Sequence, residues 1–488
     1  MRRISFLRLA CIMPLMCQSL TAQNYFSDGN TGNAVVLRDP ARQSSTEIDA
    51  VIFNPAGTAW LNDGFHISVS GIAAWKTIDS RVEGFDKEYN IKNQNITPSI
   101  QLAYKKGDWT FSASFASEGG FGRFKSDNGI GFSEAMFSNL TDMCNSNFQG
   151  LTTIYELSNI LDLAPDLNLS MEDELRLNSS DYKARLNNWT TRIGATYKFN
   201  DWLSGHIGLK FNQIHYSSRY NLSTEIVRPS TKTSFNPESY FTDAIEKLNA
   251  ASIENEYTQG IKELLESNRR SCGLYDEIGS IIGAPVSFNQ WGLSPIIGLN
   301  AHFDKFNFGI KYEFSSIALN DIDERFNSLK TPAELSVGAS WEATKWLKVA
   351  AGSNIYFKTS DLGLQGLLED THYSLSGSLT FNLPKNWIIS GGYSYSKGAE
   401  FLEPLSNIAV ALYSYHGHGF SFGLGYNVND QLQLNVGASI YNSYKVNSNV
   451  NVHFDTTNEE LTFLNTNFQM QHDVNVKTTI GIGLNYSF

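Results

Sequence analysis

Cysteine is scarce. The 488 residues contain four, of which Cys11 and Cys17 fall inside an apolar leader, leaving Cys144 and Cys272. That excludes a disulfide-rich scaffold and a Cys-based zinc site of the usual spacing, and leaves one loop-to-loop disulfide open in an oxidising exterior. Beyond the leader no run of about 18 apolar residues exists, so no transmembrane helix is expected. No Lys/Arg cluster occurs and the formal net charge is −12, which argues against a nucleic-acid partner. No Ser/His/Asp arrangement stands out, so an enzyme is not expected. His416 and His418 would place two imidazoles on one strand face, but without a nearby third ligand they define no metal or cofactor site. Proline is also sparse, at 12 residues.

Aromatics, by contrast, make up 13% of the chain and glycine numbers 38. Met1-Arg-Arg, an apolar core from Ile4 to Met16 and small residues up to Ala22 describe a secretory signal peptide over residues 1–22. An exported chain without an apolar helix can still span a membrane, as a closed β-barrel. From Phe65 the pattern has period 2: Phe65, Ile67, Val69, Gly71, Ala73 and Trp75 share one phase, and His66, Ser68 and Ser70 the other. Phe306 to Phe314 and Val474 to Phe488 alternate the same way. Arg192, Lys198, His206, Lys210, Lys311, Glu313, Glu334, Lys348 and Lys477 fall on the polar phase, as expected of a wet lumen with apolar residues facing lipid.

Segments long enough to cross a bilayer obliquely lie near 65–82, 97–104, 108–121, 186–199, 202–222, 286–303, 306–318, 332–342, 346–358, 371–382, 387–397, 418–428, 431–446 and 474–488. About fourteen strands is an even number, as a bacterial single-chain barrel requires. Very short turns alternate with longer connections, the longest at 122–185 and 223–285. Short turns are expected on the periplasmic side and long loops outside. Trp109, Trp202, Trp346 and Trp387 follow short turns, where an interfacial aromatic belt is expected, although strict alternation puts Trp202 and Trp346 on the lumen phase. The fold class is therefore all-β: a transmembrane antiparallel barrel over 65–488 in the bacterial outer membrane, preceded by a plug over 23–64.

Within the plug, Asp49 to Gly57 reads Asp-Ala-Val-Ile-Phe-Asn-Pro-Ala-Gly. Pro55 drives Asn54 out of the helical region, and Gly57 offers a positive φ. Ile52-Phe53-Asn54-Pro55-Ala56-Gly57, just before the first strand, resembles the Asn-Pro-Ala hatch motif of the FadL/TodX family of outer-membrane transporters for hydrophobic compounds. The strand number is also that family's. The motif covers few residues; the architectural likeness covers the whole mature chain. The resemblance implies passive uptake of a fatty acid-like or aromatic compound, a hatch at Phe53, Asn54, Pro55, Ala56 and Gly57, and lateral release at a kink in the third strand. Gly119, Gly120, Phe121 and Gly122 suit that kink. The closing Phe488 resembles the signature read by the barrel-assembly machinery.

Both longest loops carry helical periodicity. Tyr240, Phe241, Ile245 and Leu248 in the second either pack against the other loop's helices or line a greasy groove between the two loops. Met136, Phe137 and Leu140, then Ile154, Leu157, Ile160 and Leu161, form a comparable stripe in the first. The expected partners are a hydrophobic small molecule and outer-membrane lipid, with the chain a monomer and no cofactor. Two other uses of such a barrel stay open: a general porin, and a surface receptor or adhesin, including one for haem, working through the long loops. Residues 23–64 are too few for the plug domain of a TonB-dependent receptor.

Overall fold

The computed structural model describes residues 32–488 apart from 85–86, 119–121, 162, 252, 254, 283–284, 321–330, 358–371, 398–416, 445, 453–465 and 475–476. Residues 1–31, with the expected signal peptide, lie outside the described part. Nineteen stretches of strand form one sheet. Five are continuations or a side hairpin: Gly122–Ser126, Thr233–Phe235, Ile317–Ala318, Val446–Val452 and Thr466–Val474. The others are the fourteen staves of a closed antiparallel barrel.

In chain order the staves are β1 (Gly64–Val82), β2 (Glu88–Lys106), β3 (Trp109–Ser117, resumed at Gly122–Ser126), β4 (Glu174–Lys198) and β5 (Leu203–Arg228). They continue as β6 (Val286–Phe303), β7 (Phe306–Glu313), β8 (Ala333–Thr344), β9 (Leu347–Phe357) and β10 (His372–Asn382). The last four are β11 (Trp387–Lys397), β12 (Gly417–Asn427), β13 (Leu432–Ser443) and β14 (Lys477–Ser487). Closure comes from β14 pairing with β1, Ile67 opposite Tyr486 and Trp75 opposite Thr478. The Phe488 amide adds a last bond to the Phe65 carbonyl at 2.8 Å.

Alternation assigns the two faces. Phe65, Val69 and Trp75 are exposed on the outside, whereas His66, Ser68 and Ser70 are buried within. A band of exposed Phe, Ile, Leu and Val around all the staves has no place in water and belongs in lipid. At the short-turn end the rings pair across strands: Trp109 against Tyr197, Trp202 against Phe303, Trp346 against Phe381 and Trp387 against Tyr426. Trp202 and Trp346 face outward, 44% and 52% exposed. Each stands one residue before its stave begins, so the strand alternation that placed them in the lumen does not reach them.

The staves at the first half of the barrel are longer than the sequence pattern indicates. β2 begins at Glu88 rather than near residue 97, so the connection expected at 83–96 is only a short turn. β4 and β5 likewise extend into the segments taken as loops. The reason is an inversion of polarity. Above the membrane the outside of the strand meets water and turns polar, while the inside, packed against helices, turns apolar. On β2, Tyr89 and Ile91 are fully buried; on β5, Ile214, Tyr216, Tyr220, Leu222 and Ile226 are buried in sequence.

Three helices supply the other side of that upper core: α1 (Gly131–Ile160), α2 (Pro237–Ala250) and α3 (Glu256–Ile282). Asn236 caps α2, its Oδ1 accepting from the Ser239 amide, with Pro237 in the first turn. None of the described helices is long and apolar enough to cross a membrane.

Candidate functional site

The segment before β1 lies inside the barrel, toward its short-turn end. It is built of short helical turns, Ala34–Leu37, Ala50–Phe53 and Pro55–Trp60, wrapped around one guanidinium. Arg42 donates to Asp49 at 2.6 Å, Asp39 at 2.9 Å and Glu47 at 3.0 Å, which folds residues 38–49 into a compact knot. Asn54 sits at φ −149°, ψ 70°, outside the helical region as Pro55 requires. Gly57 differs from the sequence expectation, because it has no positive φ. Its role is room: a Cβ there would strike the Ser45 carbonyl oxygen and crowd the Asn54 amide.

Polar side chains fix this segment to the wall on every side. Asn33 donates to Gln101 at 2.6 Å and to Ser68 at 2.9 Å. Arg38 reaches Ser390 at 2.6 Å and Asn435 at 3.0 Å. Asn54 donates to Asn300 at 2.6 Å, Asn307 to the Ser44 carbonyl at 2.7 Å, Thr196 to the Pro55 carbonyl at 2.9 Å and Ser204 to the Ala56 carbonyl at 2.7 Å. The wall makes space with inward glycines. A Cβ on Gly338 would stand 2.7 Å from Gln43, on Gly423 2.7 Å from Arg38, and on Gly437 or Gly481 2.8 Å from Leu37. Two buried acceptors of the segment, Asn54 Oδ1 and Gln43 Oε1, have no hydrogen-bond partner.

Beside the segment lies a cavity of about 140 Å³. Val36, Leu37, Pro40, Gln43 and Phe53 line it from the segment, and residues of β9 to β14 form its wall, six of them serines. The opposite half of the lumen is filled by charge. Arg192 on β4 bonds Glu118 and, at 2.9 Å, Glu313; Lys210 on β5 meets Glu313 at 2.7 Å and Glu118 at 3.3 Å; Lys311 on β7 meets Glu313 at 2.8 Å and Glu334 at 3.6 Å. All six are buried. Three cations thus face three carboxylates in a buried network, where the sequence suggested a wet lumen. Lys311 also donates to the Ile52 carbonyl at 3.3 Å, tying the network to the N-terminal segment. Glu118 is the member sequence reasoning did not single out; its only signal was its position at the end of the third strand.

That strand is interrupted where Glu118 stands. Ser99 of β2 pairs with Ala116, and five residues back Gln94 pairs with Arg123, seven residues on, so two extra residues are inserted. The register with β4 shifts equally, Trp189 facing Ser117 and Leu186 facing Gly122. Gly122 resumes the strand at φ +68°, where a side chain would be strained. Gly119, Gly120 and Phe121, expected at the kink, lie outside the described residues.

In the loops, Tyr240, Phe241 and Leu248 are buried and Ile245 half-buried. Phe148 of α1 packs edge-on against both Tyr240 and Phe241, so these rings form the joint between the loops. The Tyr240 hydroxyl donates to Asp173, which also accepts from Arg228 at 2.7 and 2.8 Å; burial, then this bond, push the phenol pKa up. On α1 the expected stripe is displaced. Ile154, Leu157, Ile160 and Leu161 are exposed, and Cys144, Phe148, Leu151 and Tyr155 are buried instead. The buried set follows the same helical spacing one face round, with a polar Thr152 among it. Met136, Phe137 and Leu140 have no described side chains. Cys144 and Cys272 are buried thiols, not a disulfide; burial pushes Cys272 up to about 12. His416 lies outside the described residues. His418 shares its phase with the outward Phe420 and Phe422, and its two ring nitrogens meet the hydroxyls of Tyr393 and Tyr444. It does not face the lumen.

Fold and site together define a fourteen-stranded membrane barrel whose lumen holds its own N-terminal segment. No family model matches the chain, and no match to a curated protein was found. Among solved structures, the fold is similar to that of the toluene transporter TodX of Pseudomonas putida, with 14% identity, 95% of this chain and 100% of that chain covered, and a TM-score of 0.55. It is similar too to a FadL homologue of Pseudomonas aeruginosa, at 10% identity, 95% and 99% coverage and a TM-score of 0.56.

Proposed function

We propose that this chain is an outer-membrane channel for the passive uptake of small hydrophobic compounds, with residues 33–61 as its gate. The observation that carries the reading is the position of Phe53. Its ring lines the cavity and also packs, with Ile52 and Val36, against Ala116 of β3. Ala116 is two residues before Glu118, where the strand is interrupted. Phe53 therefore stands between a small-molecule cavity and the break in β3 that we place as the lateral exit to the bilayer. The two partnerless acceptors in the hatch cost about 1–3 kcal/mol each, which favours a segment held firmly but able to shift. Solved structures of the same fold carry the descriptions toluene transporter and FadL homologue, and support hydrophobic cargo.

Capture from outside falls to exposed loop residues. Ile160 and Leu161 of the first loop and Ile253 and Tyr257 of the second are exposed, and the Asn255 side chain bonds the Leu163 carbonyl between them at 3.0 Å. This patch replaces Tyr240, Phe241 and Leu248 as the surface offered to a ligand. No energy-coupling element takes part; transport runs downhill. A steady aqueous pore fits poorly with a lumen so fully bonded to its insert.

The test is organic extraction of the detergent-purified protein followed by mass spectrometry, for wild type and Phe53→Ala. We expect a co-purifying apolar molecule in the wild type and its loss in the variant. An empty wild type that conducts ions steadily in a planar bilayer would overturn the proposal in favour of a porin.

A further inference from the structure

The chemistry of the cavity wall narrows the cargo. Along β10, β11, β12 and β13 the inward positions above the hatch are Ser374, Ser376, Ser394, Ser396, Ser421 and Ser439, and each lines the cavity. Ser376 donates to the Gly352 carbonyl at 3.3 Å. Ser394, Ser396, Ser421 and Ser439 make no hydrogen bond to the protein among the described residues. The floor is mostly apolar, Val36, Leu37, Pro40 and Phe53 with Gln43 beside them, and Asn354, Tyr441, Lys477 and Thr479 add further polar groups to the wall. One side of the space therefore suits hydrocarbon, and the other offers hydroxyls that can each donate and accept.

A bare hydrocarbon in this space would strip water from those hydroxyls and return nothing. A molecule with one apolar face and one oxygen-bearing edge satisfies both sides. Size sets a further bound, because a cavity of about 150 Å³ holds a benzene ring and this one measures about 140 Å³. On the reading of the chain as a hydrophobic-compound channel, we infer that its cavity selects a single-ring compound carrying a hydroxyl or carbonyl group, ring on the hatch and oxygen on the serine wall.

The experiment is equilibrium dialysis of the detergent-purified full chain against labelled p-cresol and labelled toluene, which differ by one hydroxyl, with protein-free micelles as blank. The variant is Ser394→Ala/Ser421→Ala/Ser439→Ala, checked by circular dichroism. After micelle correction, wild type should prefer p-cresol, and the triple variant should lose about 3- to 10-fold of p-cresol affinity for each hydroxyl engaged while keeping toluene affinity. Equal binding of both by wild type, unchanged in the variant, would overturn the inference and leave the channel reading standing. Binding of neither compound would take down both.

Discussion

At the scale of single residues, the proposed gate is held by contacts that are hard to guess from sequence neighbours. Lys311 is nearly inaccessible and links Glu313 and Glu334 to the hatch carbonyl of Ile52. Lys311→Met leaves its carboxylate partners less compensated, and removal of one partner of a buried ion pair costs on the order of 3–5 kcal/mol. We expect a lower unfolding temperature and a higher leak current in planar bilayers; an unchanged current would show that the network does not hold the hatch. Gly437→Val tests the seat rather than the latch. The added carbons would collide with Leu37, an overpacking cost of about 1–3 kcal/mol, and the hatch should yield before the barrel does. Its signature is raised conductance with an intact β-sheet circular dichroism spectrum. Chemical labelling reports on Cys272. Because burial pushes the thiol up to about 12, little thiolate is present at pH 8.5, where a solvated thiol is half ionised. Iodoacetamide at that pH should label this residue only after denaturation, whereas labelling of the folded chain would refute its buried placement.

At the scale of elements, what could be read in advance follows the membrane. The strand pattern was legible where lipid lies outside and polar groups inside, as on Phe65 to Trp75, and this sufficed to count the staves. It failed from Tyr89 to Ile91 and beyond residue 222 on β5, as at Ile226, because the same strands leave the bilayer there and exchange their polar and apolar faces. The hatch turn at Asn54-Pro55 was legible because proline constrains its neighbour locally. Gly57 was read as a turn residue and is a spacing residue, which only the approach of Ser45 reveals. The charged residues of the lumen were visible one by one, yet their pairing joins strands far apart in the chain, Arg192 with Glu313 for example, and no local pattern carries it. On α1 two faces are apolar, and periodicity alone cannot say which one meets Phe241. The loop joint gives a prediction of its own: Asp173→Asn weakens the charge-assisted bonds to Arg228 and should loosen the upper loops, seen as faster proteolysis between residues 229 and 285 with the barrel undigested.

At the scale of the whole molecule, the lumen divides into a charge-filled half on β3 to β8 and a serine-lined cavity on β9 to β14, with Phe53 at the boundary. If that division controls passage, Glu118→Ala should change release more than capture. Initial ligand binding to the purified protein would stay near wild type while uptake into vesicles falls; a loss of both would place Glu118 in the fold rather than on the route. The seating of the hatch also has a consequence for how the chain is made. Asn33 and Arg38 bond to Gln101 on β2 and to Asn435 on β13, partners far apart in the sequence. In the sheet β2 and β13 are joined through β1 and β14, so both partners surround this segment together only in the closed barrel. The cork thus takes its full set of bonds only from a finished bottle: a stretch made early in the chain is seated by strands made late.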